Sequence, residues 1–245
     1  MSSDGSATTA GTTRRKLPLW LETVVLLALA IVLALVVKTF FVQAFYIPSG
    51  SMKPGLVIND RIMVQKVSYW GGGEPDRGEI VVFEDPGDWL DGEPAGPTNN
   101  LTKLLAKIGL FPTGGHLVKR VIGVGGDTVT CCDDEGRLEI NGVAINEDEF
   151  IAPQNECDGP MPSGCSKDWT AEVPEGELFV MGDNRSASAD SSARLCDPGQ
   201  KRCDPEAAFV PVELVVGKVF ALVWPLNHFR LIGTPDVFEQ VPDPS

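Results

Sequence analysis

The longest apolar run of the chain lies near its N-terminus, at residues 19–37, and only two polar residues interrupt it. At ~1.5 Å per residue, a helix of this length spans ~28 Å, close to the ~30 Å hydrocarbon core of a bilayer. Trp20 suits the membrane interface, and the Glu22 carboxylate can reach headgroup water. The pattern predicts a membrane-spanning helix at residues 17–38, after a small, polar, disordered tail at residues 1–16.

Charges on either side of this run predict its orientation. Three basic residues at positions 14–16 precede it and Lys38 follows it, so the N-terminus is expected in the cytoplasm and residues 39–245 outside. The alternative is a cleaved secretory signal, and V-Q-A at 42–44 resembles a small-x-small cleavage site. The apolar run is longer than the ~7–15 residues usual in such signals, which favours a retained anchor.

Beyond the anchor, apolar and polar residues mostly alternate over short runs, as in half-buried strands. The predicted strands cover residues 61–67, 79–83, 117–124, 178–181 and 212–223, the last interrupted at Gly217. An Asn-Gly pair at 141–142 lies between runs 137–140 and 143–146, and both of its residues accept the positive φ of a type I′ hairpin turn. We predict a mainly antiparallel β domain over 39–245, with an inserted hairpin and loop region at 128–177.

A second predicted insertion, at residues 84–115, is rich in glycine and proline. Within it, residues 101–110 place four apolar side chains on one helical face, with Lys103 and Lys107 beside them. This pattern predicts a short amphipathic helix. It could serve as a lid, lie on a membrane surface, or simply pack on its own domain.

Composition and charge argue against several functions. The 245 residues carry 20 Lys and Arg against 34 Asp and Glu, a net charge of −14, which argues against a general nucleic-acid binder. With only two histidines, His116 and His228, and no H-x-x-x-H pair, a histidine-rich zinc site is not expected. The chain also lacks G-x-S-x-G and a lysine three residues after a serine, two other hydrolase signatures.

Cysteine usage indicates an exported domain. All six cysteines follow the anchor, where an oxidising setting would preserve disulfides. They occur as near neighbours in sequence: Cys131 and Cys132, Cys157 and Cys165, Cys196 and Cys203. None of the spacings is C-x-x-C, and six cysteines allow fifteen pairings, so the sequence leaves the connectivity open.

A serine and a lysine carry the candidate chemistry. Ser51 lies in a turn-forming segment between two prolines, close after the predicted span. To attack an amide, its hydroxyl needs a proton acceptor, and neither histidine has a convincing aspartate setting. Lys119 shares one strand face with Leu117 and Val121. Burial on such a face lowers a lysine pKa and favours the neutral amine that a base requires.

A third segment of interest covers residues 181–191, directly after a predicted strand. It is dense in side chains that hold turns by hydrogen bonds. Such hydroxyls could orient a neutral lysine.

Together, these segments resemble the bacterial type I signal peptidases, which are membrane-anchored Ser/Lys proteases. The matching motifs are P-S-G-S-M at 48–52, R-G-E-I-V-V-F at 77–83, K-R-V-I-G-V-G-G-D at 119–127 and G-D-N-R-S-A-S-A-D at 182–190. Four motifs in the family's order behind an anchor form a specific combination.

The resemblance implies that Ser51 is the nucleophile and Lys119 the general base. It implies an oxyanion hole made by the Ser49 hydroxyl and the Ser51 backbone N–H. It also implies that Ser188 holds the lysine amine and that Asp190 supports the loop that carries Ser188. Asp183 and Arg120 would form a structural ion pair, and Arg185 would brace the same turn. The pocket for the residue before the cut would be lined by Met52, Leu56, Leu117 and Val118, and the pocket two residues earlier by Phe45 and Ile47.

Further expectations concern partners and location. No metal or cofactor is needed; the expected partners are signal-peptide-bearing preproteins with A-x-A-like ends, the lipid bilayer and the secretion translocon. The catalytic domain would lie on the extracytoplasmic face of the plasma membrane, and an extended substrate would pair with the sheet edge near Pro48 and Lys119. One position departs from the family: Ser192 stands where an arginine is usual, and Arg194 lies two residues further on.

Two other functions remain open from sequence alone. One is a self-cleaving Ser/Lys protease of the repressor type; those proteins are cytoplasmic, so the anchor and the cysteines argue against it. The other is a non-enzymatic, disulfide-stapled, membrane-anchored surface protein that binds a partner, in which Ser51 and Lys119 would be incidental.

Overall fold

The computed structural model describes residues 18–87, 89–90, 115–152, 169–196 and 203–244. The chain divides into two units, Met1–Val37 and Lys38–Ser245. The predicted helix 101–110 and the cysteines at 157 and 165 lie outside the described residues.

The N-terminal helix α1 covers Leu19–Phe40. Its segment Leu19–Val37 is long and apolar enough to cross a membrane. Leu26, Leu29 and Leu33 are each more than half exposed, as expected of side chains that face lipid in a membrane. This helix agrees with the predicted anchor at 17–38.

The described part of the second unit is built on two antiparallel sheets. The larger has the order β1-β2-β11-β3-β4-β9-β10, with β12 paired to β11, and the smaller has the order β7-β6-β5-β8. The strands are β1 Val42–Tyr46, β2 Arg61–Gln65, β3 Ile80–Glu84, β4 His116–Gly123, β5 Thr128–Cys131, β6 Leu138–Ile140, β7 Val143–Ala144, β8 Trp169–Glu172, β9 Glu177–Met181, β10 Val210–Pro211, β11 Val215–Trp224 and β12 Arg230–Leu231. The expected mainly antiparallel β domain is confirmed, and the smaller sheet comes from residues inside the predicted insertion 128–177.

Most predicted strands were right in type and shifted by one or two residues. The largest difference is at 212–223, because Val212–Leu214 forms a 3-10 helix and the strand begins at Val215. A register shift near Gly217 accompanies the interruption predicted there. At the hairpin, Asn141 and Gly142 have φ of 53° and 77°, the positive angles that the Asn-Gly pair predicted.

Strand alternation divides the apolar side chains among three buried clusters, and side chains on the two faces of β4 belong to different clusters. Val118 packs against one cluster with Met52 and Leu56, whereas Leu117 and Val121 belong to another. Neighbouring β4 residues therefore face opposite sides of the sheet, as the two-residue period requires. Disulfides join Cys131 to Cys132 and Cys196 to Cys203.

Candidate active site

The loop that carries Ser51 connects β1 to β2 and is fixed by backbone hydrogen bonds. Its own turn closes through the Leu56 N–H, which donates to the Met52 carbonyl at 2.8 Å. Asn184 ties the loop to the segment after β9: its N–H donates to the Ser51 carbonyl at 2.9 Å, and its Nδ2 donates to the Gly50 carbonyl at 3.1 Å. The Ser51 hydroxyl lies 3.3 Å from that of Ser49. This arrangement presents two hydroxyls side by side on a rigid loop.

Lys119 lies in the middle of β4, where only 4% of the residue is exposed. It pairs across the sheet with Val81, and its neighbours on the same face, Leu117 and Val121, are buried with Val81 in one cluster. Burial lowers the pKa of Lys119; the negative charge of Asp190 opposes the shift, and the positive charge of Arg194 adds to it. The amine donates a hydrogen bond to Ser188 Oγ at 3.0 Å.

The Ser51 loop and Ser188, which holds the Lys119 amine, converge at Gly182. A Cβ on this residue would stand 2.3 Å from Ser188 Oγ and 2.4 Å from the Ser51 carbonyl oxygen. Because real Cβ atoms do not approach other atoms so closely, only glycine permits this convergence. Both Ser51 and the Lys119–Ser188 hydrogen bond therefore lie around one backbone position at the end of β9.

Buried ion pairs brace the same segment. Arg120, which follows the lysine, donates through Nε and Nη2 to both carboxylate oxygens of Asp183, each at 2.8 Å. Arg185 donates to the Gly182 carbonyl at 3.0 Å and forms a bidentate pair with Glu147. Sequence reasoning missed Glu147, because nothing local marks its carboxylate as the partner of an arginine 38 residues away.

The hydrogen-bond donors to the Asp190 carboxylate differ from those that the family pattern suggests. One carboxylate oxygen accepts the Gly182 N–H at 2.8 Å, and the other accepts the Ser192 hydroxyl at 2.7 Å and its N–H at 3.2 Å. Ser192, at the position where the family usually has an arginine, thus donates hydrogen bonds to the Asp190 carboxylate. Arg194 Nη1 lies 3.5 Å from the Asp190 backbone carbonyl.

The predicted pocket residues fall into two groups. Ile47, Met52 and Leu56 are buried in one cluster, and Phe45 and Val118 pack against it. Leu117 belongs to the cluster on the opposite face of β4. The Phe45 and His116 rings are 5.3 Å apart, although β1 and β4 are not adjacent in the sheet order. The sheet therefore curls until the end of β1 meets the start of β4.

Chemically, the arrangement offers a pair of hydroxyls and a desolvated amine. In the part of the chain that the structure describes, no hydrogen bond joins the Ser51 hydroxyl to the Lys119 amine; the amine donates to Ser188 and the hydroxyl pairs with Ser49. Contacts between a nucleophile and its base are often long in ligand-free enzymes and tighten with substrate. The site can support nucleophilic attack by a serine assisted by a neutral lysine.

Comparison with known proteins assigns this arrangement to a family. The family described as signal peptidase, peptidase S26, matches residues 20–224. Signal peptidase I of Mycobacterium tuberculosis is 38% identical over 227 residues, which are 86% of this chain and 74% of that protein.

Two further relatives extend the match beyond one species. Probable signal peptidase I of Mycobacterium leprae is 35% identical over 239 residues, covering 90% of this chain and 81% of the relative. Probable signal peptidase I-2 of a Synechocystis species is 33% identical over 213 residues, covering 87% and 77%. The chain belongs to the type I signal peptidase family, peptidase S26.

Proposed function

We propose that Ser51 and Lys119 are the nucleophile and general base with which this membrane-anchored serine endopeptidase removes signal peptides from preproteins. The observation that carries the proposal is the convergence at Gly182 of the Ser51 loop and the hydroxyl that holds the buried Lys119 amine. Family membership does not favour the non-enzymatic surface-binding alternative.

The reaction would proceed in two halves. Neutral Lys119 takes the proton of the Ser51 hydroxyl while the oxygen attacks the carbonyl of the scissile bond. The protonated lysine then gives that proton to the leaving amine, which releases the mature protein and leaves an acyl ester on Ser51. Water enters, gives a proton to Lys119 and attacks the ester; Lys119 then returns that proton to the Ser51 oxygen as the signal peptide leaves.

The developing negative charge needs donors near the nucleophile. We assign this role to the Ser49 hydroxyl and the Ser51 backbone N–H. The 3.3 Å separation of the two hydroxyls supports the assignment because both can reach the same carbonyl group. Losing one oxyanion donor typically costs about 10²–10³ in kcat, so Ser49→Ala should lower turnover to that extent.

Substrate would bind as an extended strand beside the start of β4. Within the described residues, β9 pairs with β4 at Arg120, Val121 and Gly123, which leaves residues 116–119 outside that pairing. Side chains two residues apart on a strand share a face. The residue before the cut would therefore face Met52, Leu56 and Val118, and the one two earlier would face Phe45 and Ile47; only small side chains suit such a pocket. Leu117 faces the opposite side of β4, away from this group.

The proposed topology places the N-terminus in the cytoplasm and the catalytic unit on the extracytoplasmic face of the plasma membrane. The basic residues before the apolar run support this orientation. The secretion translocon would be its neighbour, because preproteins emerge from it with their signal peptides still in lipid.

The test is cleavage of a preprotein with an Ala-x-Ala site in detergent by wild type, Ser51→Ala and Lys119→Ala. We expect a product cut after the second alanine from wild type and from neither variant. Thr170→Ala is the control, because its exposed hydroxyl pairs with that of Thr130 in the smaller sheet, and turnover should be unchanged. Cleavage by either Ser51→Ala or Lys119→Ala would refute the assignment of that residue.

A further inference from the structure

Two strand edges of the larger sheet are joined by a pair of rings. Among the described residues, β1 is the first strand of the sheet and pairs with β2 alone, which leaves its other edge without a strand. Residues 116–119 of β4 pair with β3 on one side, and on the other side the described pairing with β9 begins only at Arg120. The Phe45 and His116 rings connect these two edges, with centroids 5.3 Å apart and planes inclined by 56°.

The side chains beside the ring pair form an apolar surface that a ligand can reach. Val118 lies two residues after His116 and shares its strand face, and it packs against the same cluster as Phe45. Phe45, His116 and Val118 are each half-buried. The buried members of the cluster next to them include Ile47, Met52 and Leu56. An extended peptide between the two edges would therefore lie on apolar side chains, with the two rings at the end away from Lys119.

We propose that His116, held against Phe45, sets the upper size of the substrate side chain two residues before the cut. The inference rests on the proposed function, because it takes Ser51 and Lys119 as the point of cleavage. His116 lacks the aspartate setting of a catalytic base, and this position gives it a role in substrate recognition instead.

Strand geometry brings that substrate residue to the rings. Because β9 pairs with β4 from Arg120 onward, a substrate strand beside β4 must extend from Lys119 towards His116. Alternate side chains on a strand are ~6.6 Å apart, both in β4 and in the substrate. A substrate whose residue before the cut faces Val118 therefore places the residue two earlier against His116 and Phe45.

The ring pair resists displacement because paired backbone carries both rings. Phe45 lies opposite Ile62 in β2, and His116 lies opposite Glu84 in β3. Moving the rings apart would disturb these ladders or force a side chain out of its preferred rotamer. A substrate side chain larger than the space beside the rings meets the same penalty as an overpacked core. The ring pair therefore admits small side chains and disfavours bulky ones.

The experiment compares kcat/KM in detergent for two preproteins whose signal peptides end in Ala-x-Ala and Phe-x-Ala, cleaved by wild type, His116→Ala and His116→Phe. Wild type should prefer the first preprotein by about 10²-fold, a ratio that differences in pocket fit can produce. His116→Ala removes one ring and should reduce this preference by about tenfold. His116→Phe keeps a planar ring and should retain most of it. The ratio of the two kcat/KM values is the readout, because a general loss of activity lowers both values equally.

Further variants separate the ring pair from other effects. Phe45→Ala removes the other ring and should relax the preference in the same direction. Thr170→Ala, which loses an exposed hydroxyl in the smaller sheet, should keep the wild-type ratio. Melting temperatures identify variants that fail to fold. If His116→Ala fails, His116→Val replaces it, because a β-branched side chain suits a strand.

The outcomes distinguish this inference from the proposed function. An unchanged ratio in a folded His116→Ala or His116→Val variant, or equal cleavage of both preproteins by wild type, overturns the role of His116 and leaves Ser51 and Lys119 as assigned. Loss of the preference in His116→Phe as well would contradict a limit set by ring size. Cleavage by Ser51→Ala would instead overturn the proposed function itself.

Discussion

The Lys119 amine and the Ser188 hydroxyl lie 3.0 Å apart, although 69 residues separate them in sequence. Ser188 directly follows the 3-10 helix Arg185–Ala187 and has an extended backbone. Its hydroxyl also borders the space above Gly182, opposite the Ser51 carbonyl. This serine therefore connects the Lys119 strand to the Ser51 loop.

Ser188→Ala should remove the hydrogen bond that orients the lysine amine while leaving the fold intact. We expect kcat to fall by about 10²-fold, the lower end of what a positioned general base contributes, with little change in KM. The comparison is preprotein cleavage by this variant and by Thr170→Ala, which loses an exposed hydroxyl in the smaller sheet. Turnover of Ser188→Ala within twofold of wild type would show that the amine needs no such partner.

Gly182→Ala should separate the two halves of the site. The new methyl group would collide with Ser188 Oγ and with the Ser51 carbonyl, so one of them must move by about 1 Å. Displacements of that size can cost about 10²-fold in rate, and overpacking costs about 1–3 kcal/mol of stability. Gly233→Ala is the control, because a Cβ there meets nothing within 4 Å. Equal activity of the two variants would contradict the proposed convergence.

The sequence predicted those features of the fold that local chemistry determines. The Asn141–Gly142 turn needs only two residues that accept positive φ, and the β4 face alternation follows from the strand period. Short strands such as β10 and β12, two residues each, carry too little pattern to be recognised. They form because β9 and β11 supply hydrogen-bonding edges.

The candidate site was predictable where motifs named its residues and unpredictable where distant segments meet. Ser51 and Lys119 were proposed from their local settings together with the family motifs. Glu147 and His116 carry no local signal of their contacts, since each meets Arg185 or Phe45 only when distant segments pack together.

Asp183→Ala should destabilise the protein strongly. The carboxylate is fully buried and pairs with both arms of the Arg120 guanidinium, so its removal leaves an uncompensated charge in the interior. Breaking such a pair typically costs about 3–5 kcal/mol, which thermal unfolding of the purified protein would detect. Glu135→Ala, which breaks an exposed pair with Arg137, should change the melting temperature little. A similar loss from both variants would indicate that burial of the Asp183 pair has no special effect.

Lys119→Met should stabilise the protein at neutral pH while abolishing cleavage. Burial lowers the pKa of Lys119 in the folded state, whereas in the unfolded chain it is ~10.4. Between these two pKa values the unfolded chain binds more protons than the folded one, so the free energy of unfolding of wild type rises with pH in that window. Below the folded-state pKa the amine is protonated in both states, and the whole cost of burying its charge is present. Methionine has similar length and no proton to lose.

The variant should therefore melt a few degrees above wild type at pH 7, since about 1 kcal/mol corresponds to about 2–4 °C in a domain of this size. The difference should shrink as the pH approaches 10, where the unfolded lysine also becomes neutral. Lys119→Arg separates charge from packing: its guanidinium stays protonated, so it should melt below wild type at both pH values. If Lys119→Met melted below wild type at pH 7, the buried amine would be stabilising rather than costly, and its neutral state would need another explanation.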